Sequence, residues 1–180
     1  RLESEISTLE TRGGSVYGKL KDARDVAIFR LLQLGMRVSE VCGLQLMDLG
    51  LADGTGEVRV RHGKGGKERL VPLSSLAAEA VGEWLKIRPN GGGAWVFVGK
   101  RGEQLQPRGV EKMVAEVGRR ANVEMTPHTL RHTLGHRLVK AGTPLTFVQD
   151  ILGHTNLQTT AIYTRPSLED LREAVGRVGA

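Results

Sequence analysis

A histidine and an arginine stand three residues apart in the segment Thr126–His132, and together they could bind a phosphate. Thr126 suits the N-cap of a helix and Pro127 suits its first position, so we expect a helix to begin here. His128 and Arg131 then share one helical face, where an imidazole, a guanidinium and the helix N-terminus can converge on one anion. Taken alone, the segment also fits an ordinary solvated helix start.

A second histidine and a tyrosine follow in the segment Leu152–Thr164. Gly153 is expected to end one helix, and His154 then lies in the corner. Asn156 can cap a further short helix that ends near Tyr163. The phenol of that tyrosine is a candidate nucleophile, although a tyrosine at a helix end also fits a surface or partly buried position.

An arginine is expected in a tight corner between two helices near the start of the chain. Apolar residues at helical spacing predict a helix from Asp22 to Leu34, with Gly35 at its C-cap. Ser39 is expected to cap a second short helix that runs through Leu44. Arg37 then lies at the junction.

Alternating apolar and charged residues predict a β-hairpin in the next part of the chain. Its strands are expected from Glu57 to Arg61 and at Arg69–Leu73. The glycine-rich tip, Gly63–Lys67, suits a tight turn and carries two lysines, Lys64 and Lys67. The hairpin therefore predicts a movable loop with positive charge at its end.

The remaining elements predict an α+β domain that is mainly helical with a small three-stranded antiparallel sheet. A third strand is expected at Trp95–Val98. Further helices are predicted at 74–88, 107–121, 127–141, 144–152, 156–163 and 167–175.

Composition limits the class of protein. Lysine and arginine number 26 against 20 acidic residues, and the net charge of +6 favours an anionic partner, although solubility explains such a charge equally well. The single cysteine, Cys42, excludes a disulfide within the chain and a cysteine-based metal site. Without an apolar run of membrane-spanning length or a secretory signal, the chain is predicted to be soluble and cytoplasmic.

The order of the motifs along the chain is more informative than any single motif. Five segments follow one another along the chain: Gly35–Glu40, the lysine-tipped hairpin with Arg69–Leu73, His128–Arg131, Leu152–His154 and Ile162–Thr164. In order and spacing they resemble the tyrosine recombinase (phage integrase) family, in particular its Xer-like and transposon or phage integrase members. The resemblance extends from Lys19 to Thr164, and five ordered motifs match by chance far less often than one.

The resemblance implies a role for each matching residue. Arg37 and Arg131 match the arginines that bind the scissile phosphate, Lys64 matches a general acid, and His128 matches a proton acceptor or shuttle. His154 matches a position that is histidine or tryptophan in the family, and Tyr163 matches the nucleophile. Glu40 matches an acidic residue that supports the first arginine. Lys67 and Arg69 are predicted to contact DNA.

The function implied is that of a site-specific DNA recombinase, which cleaves and rejoins strands through a 3′-phosphotyrosyl intermediate without a metal or cofactor. The implied partner is double-stranded DNA, which would place the protein at the nucleoid. A homotetramer is expected in the synaptic complex, and the isolated fragment is expected to be a monomer. Residues 1–18 are predicted to be a linker and 19–180 the catalytic domain, including a tail helix at 167–175. The family's N-terminal core-binding domain is expected upstream of this fragment.

Other interpretations fit single motifs. His132 and His136 have the spacing of a zinc-binding helix, but the glutamate of that motif is missing. The glycine-rich tip is similar to a nucleotide phosphate-binding loop, but Glu68 stands where that loop needs serine or threonine. A type IB topoisomerase and a non-catalytic DNA-binding relative remain alternatives to a recombinase.

Overall fold

The computed structural model describes the backbone of residues 16–52, 55–61 and 68–153, and the side chains of these residues from 22 onward. This part of the chain contains six α-helices and a small sheet. Helices α1 to α6 span Val16–Gln33, Val38–Cys42, Ser75–Ile87, Pro107–Ala121, Pro127–Lys140 and Leu145–Leu152. Strands β1 to β3 span Leu49–Ala52, Thr55–Val60 and Arg69–Leu73, and a 3-10 turn covers Leu46–Asp48.

The core forms around α1, which packs against α2, α3, α4 and α5. From Val26 to Leu32 this helix is buried on nearly all sides, as expected for a helix enclosed by others. Trp84 of α3 stacks on Phe97 with ring centroids 6.4 Å apart. A smaller apolar cluster around Val148 and Leu152 joins α5 to α6.

The three strands form an antiparallel sheet in the order β1-β2-β3, which confirms the predicted fold class. In its register Val58 lies between Leu49 and Val71. Val58, Val60, Val71 and Leu73 face the core, as the alternation predicts.

The prediction of a third strand at Trp95–Val98 is wrong. Trp95 and Val98 each form only an isolated bridge, and the third strand is β1, which the sequence did not indicate. The cause is the hydrogen bonding of the segment, because three of its four carbonyl groups accept from side chains instead of a neighbouring strand. Trp84 Nε1 donates to the carbonyl of Val96 at 2.8 Å, and Arg88 Nε donates to that of Trp95 at 2.9 Å.

Most predicted helices are found close to their predicted bounds. Ser74 caps α3 by accepting from the N–H of Ala77, and Thr126 caps α5 in the same way by accepting from that of Thr129. Ser39 is not the N-cap of α2, because the N-cap is Arg37 and Ser39 lies within the helix. The predicted helices at 156–163 and 167–175 lie outside the described residues. Among the described helices, none combines the length and the apolar character that a bilayer span requires.

Gly35 closes the corner between α1 and α2. Its φ of +83° lies in the left-handed region that favours glycine. A Cβ at this position would lie 2.9 Å from the side chains of both Leu134 and Leu152, which belong to α5 and α6. The corner therefore needs glycine for its backbone conformation and for the close approach of two other helices.

We predict that Gly35→Ala lowers the free energy of unfolding by about 2 kcal/mol, because the left-handed backbone and the close contacts add their costs. Urea unfolding followed by circular dichroism measures the change. Gly82→Ala is the matched control, since a Cβ there meets no atom within 4 Å, and it should leave stability equal or higher. Equal effects of the two substitutions would contradict this explanation.

Candidate active site

A cleft of about 560 Å³ opens where the α1–α2 corner faces α4 and the start of α5. Three of the predicted site residues, Arg37, His128 and Arg131, line it. Around them lie Met36, Val38, Glu111, Ala115, Met125, Thr126 and Pro127. The fold thus brings together residues from two motifs that are about ninety positions apart in the sequence.

Arg131 forms the floor of this cleft. The residue is only 6% exposed, and its guanidinium donates to the carbonyl oxygens of Gly35 and Leu152. These carbonyls lie at the C-terminal ends of α1 and α6, where the helix dipoles favour a cation. The two helix ends fix this buried guanidinium in position.

Arg37 lies beside it at the N-cap of α2. Its Nη1 donates to Glu40 Oε1 at 2.7 Å, and its Nη2 donates to the carbonyl of Gly153 at 2.9 Å. The side chain remains 27% exposed toward the cleft. Because a guanidinium has five N–H groups, three of those of Arg37 are not engaged by the described residues.

The two arginines meet at the end of α6. Arg131 binds the carbonyl of Leu152, the last residue of the helix, and Arg37 binds that of Gly153, its C-cap. Gly153 adopts the left-handed conformation, with φ +59°, as the sequence predicts for a helix end. Two consecutive carbonyls therefore hold the two guanidinium groups close together, one residue before His154.

Glu40 is buried beneath Arg37, with a side chain only 4% exposed. Its two oxygens accept four N–H groups, two from Arg37 and two from Arg69. Burial raises the pKa of this carboxyl, but the hydrogen bonds from Arg69 and Arg37 and the charge of Arg69 outweigh burial and hold the pKa below its ordinary value. The carboxylate is thus charged at neutral pH and leaves the cluster of three groups with one net positive charge.

Arg69 lies below the site instead of on the surface. Its Nη1 and Nη2 donate to the two oxygens of Glu40 at 2.9 and 2.8 Å, and its side chain is 12% exposed. The sequence predicts a DNA contact for this residue, whereas its partner in the structure is a buried carboxylate. One signal for this placement was available, because Arg69 alternates with the inward residues Val71 and Leu73.

His128 occupies the first turn of α5 at the rim of the cleft. Its Nε2 lies 2.6 Å from Nε2 of His132, and the two rings meet edge to face with centroids 4.1 Å apart. Partial burial lowers the pKa of His132, and the nearby His128, His136 and Arg131 lower it further. Because His132 is neutral at pH 7, one nitrogen of this pair can donate and the other can accept.

The helix start itself offers fewer backbone donors than the sequence suggests. The N–H of Thr129 donates to the hydroxyl of Thr126, and the N–H of Thr126 donates to the hydroxyl of Thr129. This capping pair satisfies two N–H groups within the helix. The donors that this cleft can offer to an anion therefore come more from charged side chains than from the helix N-terminus.

Four of the predicted site residues, Lys64, Lys67, His154 and Tyr163, lie outside the described residues. The described part of the site consists of its arginines, its carboxylate and the histidines of α5. Other side chains line the cleft from α4, among them Glu111, and no motif in the sequence identified them. Within the described part of the chain, histidine, cysteine and acidic residues form no group of three or more that could hold a metal ion.

The sequence matches the phage integrase family over residues 7–169. It is 37% identical over 158 residues to the tyrosine recombinase XerA of Pyrococcus furiosus, covering 86% of this chain and 54% of that protein. It is 44% identical over 156 residues to the tyrosine recombinase XerC of Pelobacter propionicus, covering 83% of this chain and 50% of that protein. The chain thus spans about half the length of these relatives.

A solved structure shares the fold. The XerH site-specific recombinase bound to difH substrate in a pre-cleavage complex superposes with a TM-score of 0.81 at 27% identity. The match covers 99% of this chain and 52% of that one. With the family match over most of its length and the shared fold, the chain belongs to the phage integrase family, the tyrosine recombinases.

Proposed function

We propose that this chain is the catalytic domain of a site-specific DNA recombinase, which cleaves and rejoins strands through a 3′-phosphotyrosyl intermediate on Tyr163. The observation that carries the proposal is the pair formed by Arg37 and Arg131 on consecutive carbonyls at the end of α6. Each guanidinium is a planar fork of donors that matches the oxygens of a phosphodiester. Two such forks at one cleft fit a single phosphate.

The arginines act on the charge of the transition state. A phosphodiester under attack gathers negative charge on its nonbridging oxygens, and permanent cations stabilise that charge more than they stabilise the ground state. Arg131 is held by two carbonyls, and Arg37 is held by Glu40 and a third carbonyl. Because the groups are fixed before DNA binds, little reorganisation is required during the reaction.

The protons move between three further groups. The Oη of Tyr163 attacks the phosphorus and its proton passes to His128, which lies at the rim of the cleft. The bond from phosphorus to the 5′-oxygen breaks, and the leaving oxygen takes a proton from Lys64 on the hairpin tip. His154, the residue after Gly153 in the sequence, is proposed to complete the set of phosphate ligands.

Rejoining reverses the same steps. A 5′-hydroxyl from a second strand attacks the phosphotyrosine and restores the phosphodiester. Its proton passes to Lys64, and His128 returns a proton to the leaving oxygen of Tyr163. One phosphodiester is exchanged for another of similar energy, so the reaction needs no nucleotide cofactor.

The partner proposed is double-stranded DNA. The net charge of +6 favours a polyanion, and a similar structure, the XerH recombinase, is bound to its difH substrate. Exchange between two duplexes is proposed to require a homotetramer, whereas this chain alone is proposed to be a monomer. Phosphate contacts give its DNA binding a steep dependence on salt.

We predict that Tyr163→Phe abolishes covalent capture of DNA because the nucleophilic oxygen is gone. The wild-type chain first selects binding sequences from a random pool of duplexes, and a nick is placed in the selected site to trap the adduct. Denaturing gel electrophoresis measures the adduct, and a gel-shift assay measures binding, which should be nearly unchanged.

Tyr17→Phe is the matched control, since Tyr17 is the other tyrosine of the chain and lies outside every motif. It should form the adduct at the wild-type level. An equal yield of adduct from Tyr163→Phe, or no adduct from the wild-type chain with any selected site, would contradict the proposed function.

We predict that His132 titrates below the ordinary histidine pKa of 6.5, because burial and the charges of His128, His136 and Arg131 disfavour its protonated form. NMR titration of the ring protons measures this, with the urea-unfolded chain as the internal reference near 6.5. His128→Ala should move the pKa of His132 upward. A value at or above the unfolded reference in the folded chain would rule out this environment for His132.

A further inference from the structure

Arg69 contributes a second guanidinium to the Glu40 carboxylate without lining the cleft. The cleft residues include Arg37, His128 and Arg131, whereas Arg69 approaches Glu40 from the sheet, as the first residue of β3. Both contacts are near-ideal charged hydrogen bonds at 2.9 and 2.8 Å. This arginine therefore binds a residue that itself holds Arg37.

Arg69 changes the net charge of the cluster that it forms with Glu40 and Arg37. One carboxylate serves two guanidinium groups, so the cluster keeps one net positive charge. Without Arg69, Glu40 would neutralise Arg37 alone, and the cluster would carry no net charge toward the cleft. Arg69 also occupies one side of the carboxylate and thereby fixes the side that Arg37 uses.

A second contact connects Arg69 to the carbonyl that holds Arg37. The backbone of Gly153 lies against the guanidinium of Arg69, because a Cβ at Gly153 would come within 3.0 Å of Arg69 Cζ and Nη1. The carbonyl of Gly153 accepts from Arg37 Nη2 at 2.9 Å. Arg69 thus packs against both groups that anchor Arg37, the Glu40 carboxylate and the end of α6.

Stability alone is a weak explanation for this buried arginine. Its Nε is buried without a hydrogen-bond partner among the described residues, and an unsatisfied N–H disfavours the folded state. A buried ion pair is often no more stable than well-packed apolar side chains of similar volume. An inward arginine at this position is better explained by what it does to its neighbours.

We propose that Arg69 is a positioning residue, which acts through Glu40 and Gly153 to hold the Arg37 guanidinium at the cleft with its positive charge available to the phosphate. This inference rests on the proposed function, since the effect is exerted on the cleavage of DNA.

The test measures single-turnover adduct formation on the nicked selected duplex, at saturating concentrations of the chain. Arg69→Met should lower the rate constant by about 10- to 100-fold, with a much smaller change in DNA affinity. Arg69→Lys keeps the charge but loses the fork, so its rate should lie between those of Arg69→Met and the wild type.

The matched control is Arg59→Met. Arg59 is an exposed arginine of the neighbouring strand β2, and its loss removes the same charge without removing any of the four hydrogen bonds that Glu40 accepts from Arg37 and Arg69. Its rate constant at saturation should stay near the wild-type value. Thermal melting establishes that each variant is folded, and Arg69→Lys decides the test if Arg69→Met does not fold.

A double-mutant cycle separates positioning from a general structural role. If Arg69 acts through Arg37, Arg69→Met should cost little further activity in a chain that already carries Arg37→Ala. The inference would be overturned if Arg69→Met lowered the rate by the same factor in the wild-type and Arg37→Ala chains. A wild-type rate for Arg69→Met would also overturn it, as would a wild-type rate for Arg69→Lys if Arg69→Met does not fold.

A measurement that does not depend on cleavage keeps the two proposals apart. Carbon-13 NMR of the glutamate carboxyl groups should find that the pKa of Glu40 rises in the Arg69 variant used, because a donor and a charge that lower it are lost or weakened. If the wild-type chain forms no adduct, the proposed function fails. The titration then still tests whether Arg69 interacts with Glu40 as the structure shows. An unchanged pKa of Glu40 would overturn the placement of Arg69.

Discussion

The Glu40 carboxylate is the interaction on which the site depends most. It is nearly inaccessible to solvent, and its two oxygens are shared by Arg37 and Arg69. A buried carboxylate is stable as an anion only when cations or N–H donors surround it, and here four N–H groups do so. The same contacts direct one arginine toward the cleft and keep the other beneath it.

The buried guanidinium of Arg131 imposes a similar constraint on the backbone. Its partners include carbonyls at the ends of α1 and α6, so these two helices must end close to α5. Gly35 and Gly153 make this possible, because each turns the chain in the left-handed conformation. The corner at Gly35 and the C-cap at Gly153 are therefore part of the same phosphate-facing arrangement.

Local signals in the sequence predict much of this arrangement. Thr126 with Pro127 marks the start of α5, and Gly153 marks the end of α6, because caps act through contacts within a few residues. Ser39 illustrates the limit of such signals. The carboxylate of Glu40 accepts from the N–H of Arg37 and places the N-cap of α2 there, and that preference depends on the buried arginines around it.

Contacts between distant segments were not predictable in the same way. The segment Trp95–Val98 has the sequence of a strand, but three of its carbonyls accept from Trp84, Arg88 and Arg24, which the folded core brings near. Arg69 is similar, since the alternation of β3 indicates an inward side chain and does not identify Glu40 as its partner. The order and spacing of the motifs predicted the family, because a shared fold with the same contacts between distant segments keeps the motifs in the same order and at similar spacing.

In the proposed reaction, Arg37, supported by Glu40, stabilises negative charge on the nonbridging oxygens of one phosphate. The most direct test replaces one of those oxygens by a methyl group, so that the nicked duplex carries a neutral methylphosphonate at the cleavage position. Arg37→Ala, shown by thermal melting to be folded, should cleave the ordinary phosphate far more slowly than the wild-type chain does. On the methylphosphonate, the ratio of the variant's rate to the wild-type rate should be at least about tenfold higher than on the phosphate. An equal defect of Arg37→Ala on both substrates would contradict the account.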